Sequence, residues 1–158
     1  MSFSRQFCTF YLEKLLFGVE LQKVQEVIRY LELTDVPLAP HGASGLMNLR
    51  GQIVTAVDLR RRLELPQGTQ DTLPMSVVVR APDGAVSMLV DDIGEVVDVE
   101  EESFERLPET LHGKIREVLV GVYKLDKYLM HVLDTDKACE ATEQNQTVVG
   151  SEYGQHRE

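Results

Sequence analysis

The residues of this chain best suited to binding lie in the turn Asn48-Leu49-Arg50-Gly51, just before the apolar segment Ile53–Val57. Asn at the first position of a turn accepts backbone hydrogen bonds, and Gly at the fourth tolerates a positive φ. The two central side chains, Leu49 and Arg50, are therefore expected to face solvent. An apolar side chain beside a planar guanidinium suits recognition of another protein. We predict a protein-binding turn here.

Side chains that catalyse reactions or hold metals are not spaced in a recognisable set. No histidine lies at ligand spacing from Cys, Asp or Glu, and no Ser or Cys sits in a nucleophile turn. The acidic stretch Glu100–Glu102, continued by Glu105 and Glu109, is interpreted as a solvated loop and helix start. The histidines and cysteines of the chain are His41, His112, His131, His156, Cys8 and Cys139. The pattern predicts a non-enzymatic protein without metal or cofactor; a small hydrolase using His131 or the acidic stretch is the enzymatic alternative.

Composition limits the classes of function. The 158 residues suit one domain or two small subdomains, with 43% apolar and 27% charged residues, as in a globular protein. The net charge of −10 opposes nucleic-acid binding, and Arg60-Arg61-Arg62, after the N-cap candidate Asp58, is interpreted as a solvated helix face. The sequence shows neither a membrane-spanning apolar run nor a basic-then-apolar leader, so we expect a cytoplasmic location without membrane insertion.

Short runs rich in Val, Ile, Phe and Tyr recur between turn signals, which is typical of an all-β fold. The turn Ala81-Pro82-Asp83-Gly84 predicts a hairpin, and the segment from Pro66 to Pro74 predicts a crossing between subdomains. Ten strands are predicted, with bounds Gln6–Leu12, Leu16–Glu20, Glu26–Leu33, Gly45–Leu49, Gln52–Val57, Met75–Arg80, Ala85–Val90, Glu95–Val99, Val118–Leu125 and Tyr128–Leu133.

The chain resembles itself at two places. Val24–Ile28 corresponds to Ile93–Val97, and the stretch from Gly45 to Asp58 corresponds to that from Gly121 to Asp134. We predict two similar five-stranded barrels with short helical turns, the first at about 14–66 and the second at about 74–134. Together they form one domain over 1–140, with terminal segments packing on or between the barrels, and residues 141–158 are predicted to be a disordered tail.

The two copies differ at the predicted binding turn, where Asn48, Arg50 and Gly51 of the first copy correspond to Lys124, Asp126 and Lys127 of the second. Because only one copy has Asn48, Arg50 and Gly51, the repeated fold does not require them. A structural explanation stays open, in which Arg50 pairs with a carboxylate such as Glu26 and secures the turn; both roles are compatible. The β-branched residues Val24, Val27 and Ile28 alternate along one strand, so at least one is expected to be exposed and to form an apolar patch with Leu49.

These motifs resemble the CheW family of bacterial chemotaxis coupling proteins, over roughly Gln6 to Ala138. The resemblance rests on Phe17–Glu20, Val24–Val27, Gly45–Val54 and Asp58–Arg60. It implies two SH3-like barrels and an adaptor that joins the cytoplasmic tips of chemoreceptors to the regulatory domain of the histidine kinase CheA. That adaptor would lie in membrane-associated arrays, and the sequence leaves open whether it self-associates there.

The resemblance also implies a receptor-binding or supporting role for seven residues and a specific pair between Glu26 and Arg50. The seven residues are Val24, Glu26, Gly45, Asn48, Leu49, Arg50 and Gly51. It leaves the kinase-binding residues unknown. Two alternatives stay open: a scaffold of a surface-sensing receptor–kinase pathway, and a free-standing SH3-like module for Pro-rich peptides. The latter needs an aromatic-lined groove, and only 6% of the residues are aromatic, with no Trp.

Overall fold

The computed structural model describes residues 4–29, 43–65, 75–82 and 84–139, and these form a mostly β structure. The strands are β1 (Ser4–Leu12), β2 (Leu15–Glu20), β3 (Val24–Ile28), β4 (Ala43–Leu49), β5 (Gln52–Asp58), β6 (Met75–Ala81), β7 (Gly84–Val90), β8 (Asp92–Glu100), β9 (Phe104–Glu105), β10 (Leu119–Lys124) and β11 (Leu129–Leu133). Helices α1 (Leu59–Arg62) and α2 (Lys114–Glu117) are one turn each, and residues 135–139 are also helical. The all-β prediction is confirmed.

The strands form two sheets with matching connectivity. The five-stranded sheet has the order β3-β6-β7-β5-β4, and the six-stranded sheet has the order β8-β1-β2-β11-β10-β9. Each sheet contains one parallel pair, β5 with β7 and β11 with β2. Apart from β9, every strand of one sheet therefore has a counterpart in the other, which confirms the predicted duplication.

The register of the strands repeats as well. Gly45 lies opposite Ala56 and Gly121 lies opposite Val132, and the pairing shifts by one residue beside each glycine. A second shift follows Val24 in β3. Another lies between β1 and β8, where Cys8 pairs with Val96 and Phe10 pairs with Ile93. A shift of this kind marks a β-bulge, which bends a strand and increases its twist. The glycines that coincide in the sequence thus mark equivalent bends in the two sheets.

The sheets group the strands differently from the predicted ranges of 14–66 and 74–134. Strands β6 and β7 pair with β3 and β5, whereas β1 and β2 join β8, β10 and β11. The five-stranded sheet therefore uses residues 24–90, and it is inserted into a six-stranded sheet built from both sides of it. Sequence similarity identifies equivalent strands but not their hydrogen-bonded partners. Closure of each sheet into a barrel and the extent of the whole domain stay predictions.

One apolar cluster joins the two sheets. Phe10 and Phe17 of the six-stranded sheet stack with ring centroids 5.7 Å apart, in the same cluster as Val77 and Met88 of the five-stranded sheet. Burying aromatic and β-branched side chains of this size is the dominant favourable contribution to folding. The sheets consequently pack as one body around a shared core.

Most strand bounds agree with prediction to within two residues, and the exceptions are local. Strand β3 is seen from Val24 to Ile28. Of the rest of its predicted length, Arg29 is described and is not in a strand, and Tyr30 to Leu33 lie outside the described residues. The same holds for the predicted crossing and for the predicted tail over 141–158. The predicted hairpin at Ala81–Gly84 is confirmed, because β6 and β7 pair directly with Ala81 opposite Gly84. Strand β9, only two residues long, was not predicted.

Candidate functional site

The predicted binding turn is present, one residue later than expected. Leu49 pairs with Gln52, so Arg50 and Gly51 are the two central residues of the β4–β5 hairpin. Their φ angles are 53° and 87°, the positive values of a type I′ turn, which matches the twist of paired strands. The Asn48 side chain supports the turn by accepting a 2.9 Å hydrogen bond from the Gly51 N–H through its Oδ1. Arg50 is thus held in a left-handed conformation that residues other than Gly adopt at some cost.

The prediction that Leu49 faces solvent is wrong. Its side chain is 8% exposed and packs in a small cluster with Val54 and Val78. With the turn shifted by one residue, Leu49 is the last residue of β4, and the alternation of the strand turns its side chain inward. The residue therefore supports the turn from beneath and does not form part of its surface.

Glu26 and Arg50 form the pair that the family resemblance implied. Arg50 donates two hydrogen bonds, from Nη1 to Glu26 Oε2 at 2.7 Å and from Nη2 to Oε1 at 2.8 Å. The Arg50 side chain is 74% exposed, whereas that of Glu26 is 19% exposed. Glu26 lies on β3 and Arg50 follows β4, so the pair joins the two edge strands of the five-stranded sheet. This two-point contact orients an otherwise exposed guanidinium.

Two exposed apolar side chains, Val27 and Ile53, lie on the same sheet. Val27 is exposed, as expected for one of the three alternating residues, whereas Val24 and Ile28 are half-buried against the core. Ile53, which lies opposite Asn48 beside the turn, is 65% exposed and was not singled out from the sequence. Its alternation with the buried Val54 was the available signal. The structure thus places exposed Ile53 and Arg50 close together, with Gly45 buried at the bulge of the same hairpin.

The equivalent turn of the six-stranded sheet lacks this arrangement. There Leu125 N–H donates to the backbone oxygen of Tyr128 at 2.8 Å, so Asp126 and Lys127 occupy the centre of the turn. Among the described residues other than glycine, positive φ angles occur at Glu13, Arg50 and Glu64, and therefore at neither central residue of this turn. Sequence divergence between the copies thus coincides with a different turn conformation, and Arg50 is not a requirement of the repeated fold.

The prediction that the Arg60–Arg62 run is a solvated helix face is wrong for Arg60. Asp58 does cap α1, accepting from the N–H groups of Arg60 and Arg61 at 3.0 and 3.4 Å. The Arg60 side chain, however, is only 9% exposed and contacts Asp91 and Glu13. Its hydrogen bond to Asp91 holds the pKa of the Arg60 guanidinium above the ordinary value, against the lowering effect of burial. Sequence spacing gave no signal of this contact, because Asp91 is distant along the chain.

His131, the histidine of the enzymatic alternative, and both cysteines are buried. His131 is buried, with Nδ1 3.0 Å from the Leu16 backbone oxygen and its ring 5.5 Å from that of Phe17. Cys8 and Cys139 are buried in the main core, and burial raises the pKa of the Cys8 thiol. Within the described ranges, no group of three or more His, Cys, Asp or Glu side chains is placed to hold a metal ion. The same ranges contain no helix long and apolar enough to cross a membrane.

Comparison with known proteins gives consistent results. Residues 6–143 match the family model of the CheW-like domain. The chain is 27% identical to Chemotaxis protein CheW of Treponema pallidum, covering 84% of this chain and 80% of that protein. It is also 27% identical to the protein of that name from Klebsiella aerogenes, covering 88% and 84%. The crystal structure of the scaffolding protein TtCheW from Thermoanaerobacter tengcongensis has the same fold, with a TM-score of 0.78 at 24% identity over 86% of this chain and 92% of that one.

Proposed function

The chain belongs to the CheW-like domain family, and from this premise we propose that it is a non-enzymatic adaptor coupling chemoreceptor tips to the histidine kinase CheA. Its relatives are named as chemotaxis proteins, and its structural neighbour is named as a scaffolding protein. An adaptor acts by holding two partners in register, so its output is a change in kinase activity without chemistry of its own. The proposed location is the cytoplasm, at membrane-associated receptor arrays.

The observation that carries the proposal is the oriented guanidinium of Arg50. An exposed ion pair contributes only about 0–1 kcal/mol to stability, and a left-handed Arg50 offsets part of that gain. The arrangement is therefore poorly explained by stability alone. Fixing a long side chain in advance lowers the entropy lost when a partner binds it. Arg50 is thus suited to contact a receptor together with the exposed apolar side chain of Ile53 in the same hairpin.

The other members of the proposed receptor site support Arg50 from different directions. Glu26 orients the guanidinium, and Asn48 and Gly51 set the conformation of the turn. Three members are buried or half-buried: Leu49 packs inside the hairpin, Gly45 lies at its bulge, and Val24 packs against the main core at the start of β3. The proposed contact surface is therefore small, and the proposed support for it comes from two strands, β3 and β4, and from the turn itself.

The test is co-sedimentation with membranes that contain the receptor of the same bacterium. Arg50→Glu is expected to weaken binding about tenfold, because it reverses an exposed charge and places it beside Glu26. Lys114→Glu, which reverses a half-exposed charge on α2, is the matched control and is expected to bind like the wild type. Wild-type binding by Arg50→Glu would overturn the assignment of the receptor site.

A charge-swapped double variant separates contact from support. Glu26→Arg with Arg50→Glu restores an ion pair across the same two strands but inverts its exposed end. If Arg50 only secures the turn, the double variant binds receptor like the wild type. If Arg50 contacts the receptor, binding stays weak although the fold is restored, and this is the result we expect. Receptor-dependent autophosphorylation of CheA in the reconstituted mixture then tests the coupling itself.

A further inference from the structure

An ion cluster lies where the chain passes from one sheet to the other. Asp91 is the single residue between β7 of the five-stranded sheet and β8 of the six-stranded sheet. Arg60 reaches it from α1, which follows β5 of the five-stranded sheet, and Glu13 belongs to the β1–β2 turn of the six-stranded sheet. We call Arg60, Asp91 and Glu13 the crossing cluster. It contains groups from both sheets and from the connection between them.

Arg60 binds the carboxylate of Asp91 through a two-point contact. Its Nε donates to Asp91 Oδ1 at 2.9 Å and to Oδ2 at 3.2 Å, and its Nη2 donates to Oδ2 at 2.5 Å. Its Nη1 also lies 3.4 Å from Glu13 Oε1. The side chains of Arg60 and Asp91 are 9% and 18% exposed. Planar guanidinium–carboxylate contacts of this kind fix orientation as well as distance.

The same Asp91 is tied to the six-stranded sheet. Its Oδ2 accepts a 2.6 Å hydrogen bond from the Glu13 backbone N–H, and its own N–H donates to the Tyr11 backbone oxygen at 3.0 Å. One carboxylate oxygen therefore receives hydrogen bonds from a residue of each sheet. A rotation of one sheet against the other would break at least one of these bonds, because they are directional.

Glu13 itself has an unusual backbone conformation. Its φ of 57° lies in the left-handed region, where residues other than Gly, Asn and Asp are uncommon. Such a conformation persists when its surroundings hold it in place. Here the residue is held at both ends, since its N–H is bonded to Asp91 and its carboxylate lies next to Arg60. The β1–β2 turn and the connection at Asp91 thus constrain each other.

Stability is a weak reason for such a cluster, because a buried ion pair gives little net stabilisation compared with apolar packing, whereas buried polar groups can specify one geometry. The shared apolar core holds the sheets together through contacts that are not directional. We propose that the crossing cluster fixes the angle between the two sheets, and that Arg60 is a positioning residue for coupling. The second half of this inference rests on the proposed function, since two partners held on one body are coupled only if its geometry is fixed.

A distance measurement tests the geometric half without any partner. Spin labels at Gln52, the exposed first residue of β5, and at Lys127, exposed in the β10–β11 turn, report the separation of the sheets. Cys8 and Cys139 are buried and thus shielded from labelling. Pulsed electron resonance is expected to give one narrow distance distribution for the wild type and one at least twice as broad for Arg60→Met. Arg61→Met, on the exposed side of the same helix, is the control and should leave the width unchanged. Equal widths in all three proteins would overturn the inference.

Reconstitution with receptor membranes and CheA tests the coupling half. Arg60→Met is expected to bind each partner alone within twofold of the wild type, while receptor-dependent kinase activation falls at least fivefold. Wild-type activation by Arg60→Met would contradict the inference and leave the proposed function intact. Absence of activation with the wild type itself would contradict the proposed function, and the distance measurement would still decide the geometric half.

Two milder variants serve if Arg60→Met does not fold. Arg60→Lys keeps the charge but loses the two-point contact, and Asp91→Asn keeps the shape of the acceptor but removes its charge. Both are expected to broaden the distance distribution by less than Arg60→Met would and to lower activation two- to threefold. Wild-type widths and wild-type activation in both variants would overturn the inference.

Discussion

At the scale of single residues, the conformation of the β4–β5 turn depends on Gly51. A Cβ built on this residue meets nothing within 4 Å, so any cost of substitution comes from the backbone, whose φ is 87°. Left-handed φ costs an L-residue about 1–2 kcal/mol, and Asn adopts it more readily than Ala. The conformation of the turn that presents Arg50 therefore depends on the backbone freedom of Gly51 and not on the space around it.

We expect Gly51→Ala to lower the free energy of unfolding by about 1 kcal/mol and Gly51→Asn to lower it by less. Urea unfolding measures both. The receptor affinity should fall in the same order, because a distorted turn moves Arg50 away from Glu26. Equal stability of the two variants would show that the turn has another conformation in solution.

Residue types in the turn predicted that the turn exists and that Gly51 has a positive φ, but not which residues occupy the centre of the turn. Asn48 at the first position and Gly51 at the fourth fit a type I turn, whereas the strands pair around a two-residue loop that makes Leu49 part of β4. The inward direction of Leu49 follows from that pairing and from no local signal. Arg60 was misjudged for a similar reason, because its partner Asp91 becomes a neighbour only after both sheets have formed.

At the scale of elements, the β4–β5 hairpin has one face in the core and one in solvent. Leu49, 8% exposed, packs with Val54 and Val78, while Ile53, 65% exposed, lies on the opposite face. Leu49→Ala is expected to cost about 2–4 kcal/mol of stability, and Ile53→Ala less than about 0.5 kcal/mol. Ile53→Ala is nevertheless expected to weaken receptor binding, which Leu49→Ala should affect only through the fold.

Thermal unfolding of both variants together with the co-sedimentation assay separates these effects. A large loss of stability in Ile53→Ala would mean that this side chain is buried in solution. Unchanged receptor binding by the same variant would restrict the proposed contact surface to Arg50 and its immediate neighbours.

Alternating apolar residues predicted the long strands well, and the repeat between the two hairpins predicted their equivalence. Strand β9 could not be found in this way, since two residues carry no periodicity. Its position depends on Gly121, where a Cβ would lie 2.2 Å from the Phe104 ring and 2.7 Å from the Glu105 backbone oxygen. The coincidence of Gly45 and Gly121 in the sequence indicated equivalent positions in the two halves, but not the additional strand that packs against only one of them.

At the scale of the whole molecule, the crossing cluster predicts how stability depends on pH. Asp91 raises the pKa of Arg60 in the folded protein, so the stabilisation by this pair is complete below the arginine pKa of the unfolded chain. The part of the stabilisation that depends on the arginine charge is lost as pH rises through the still higher folded value, far above the neutral range.

Arg60→Met removes one partner only and leaves the mostly buried Asp91 carboxylate without this guanidinium, so we expect it to lower the free energy of unfolding by about 3 kcal/mol. This stability difference is expected to be constant from about pH 6 to 9, because the arginine stays charged throughout. Urea unfolding at several pH values in this range measures it. A difference that changes by more than about 0.5 kcal/mol across the range would show that a group titrating near neutrality contributes to the cluster.

The arrangement of the sheets along the chain affects how the protein forms during translation. Residues 24–90 contain every strand of the five-stranded sheet, so that sheet is complete while the next strands are still being made. The β1–β2 hairpin emerges earlier but waits for β8 and β11 on its two sides. Until ribosomes reach residue 100 both edges of this hairpin lack their final neighbours, and until they reach residue 133 the β2 edge still lacks β11. Unpaired strand edges promote aggregation. Prematurely terminated chains would keep that hairpin open permanently, which makes them natural clients for chaperones and proteases.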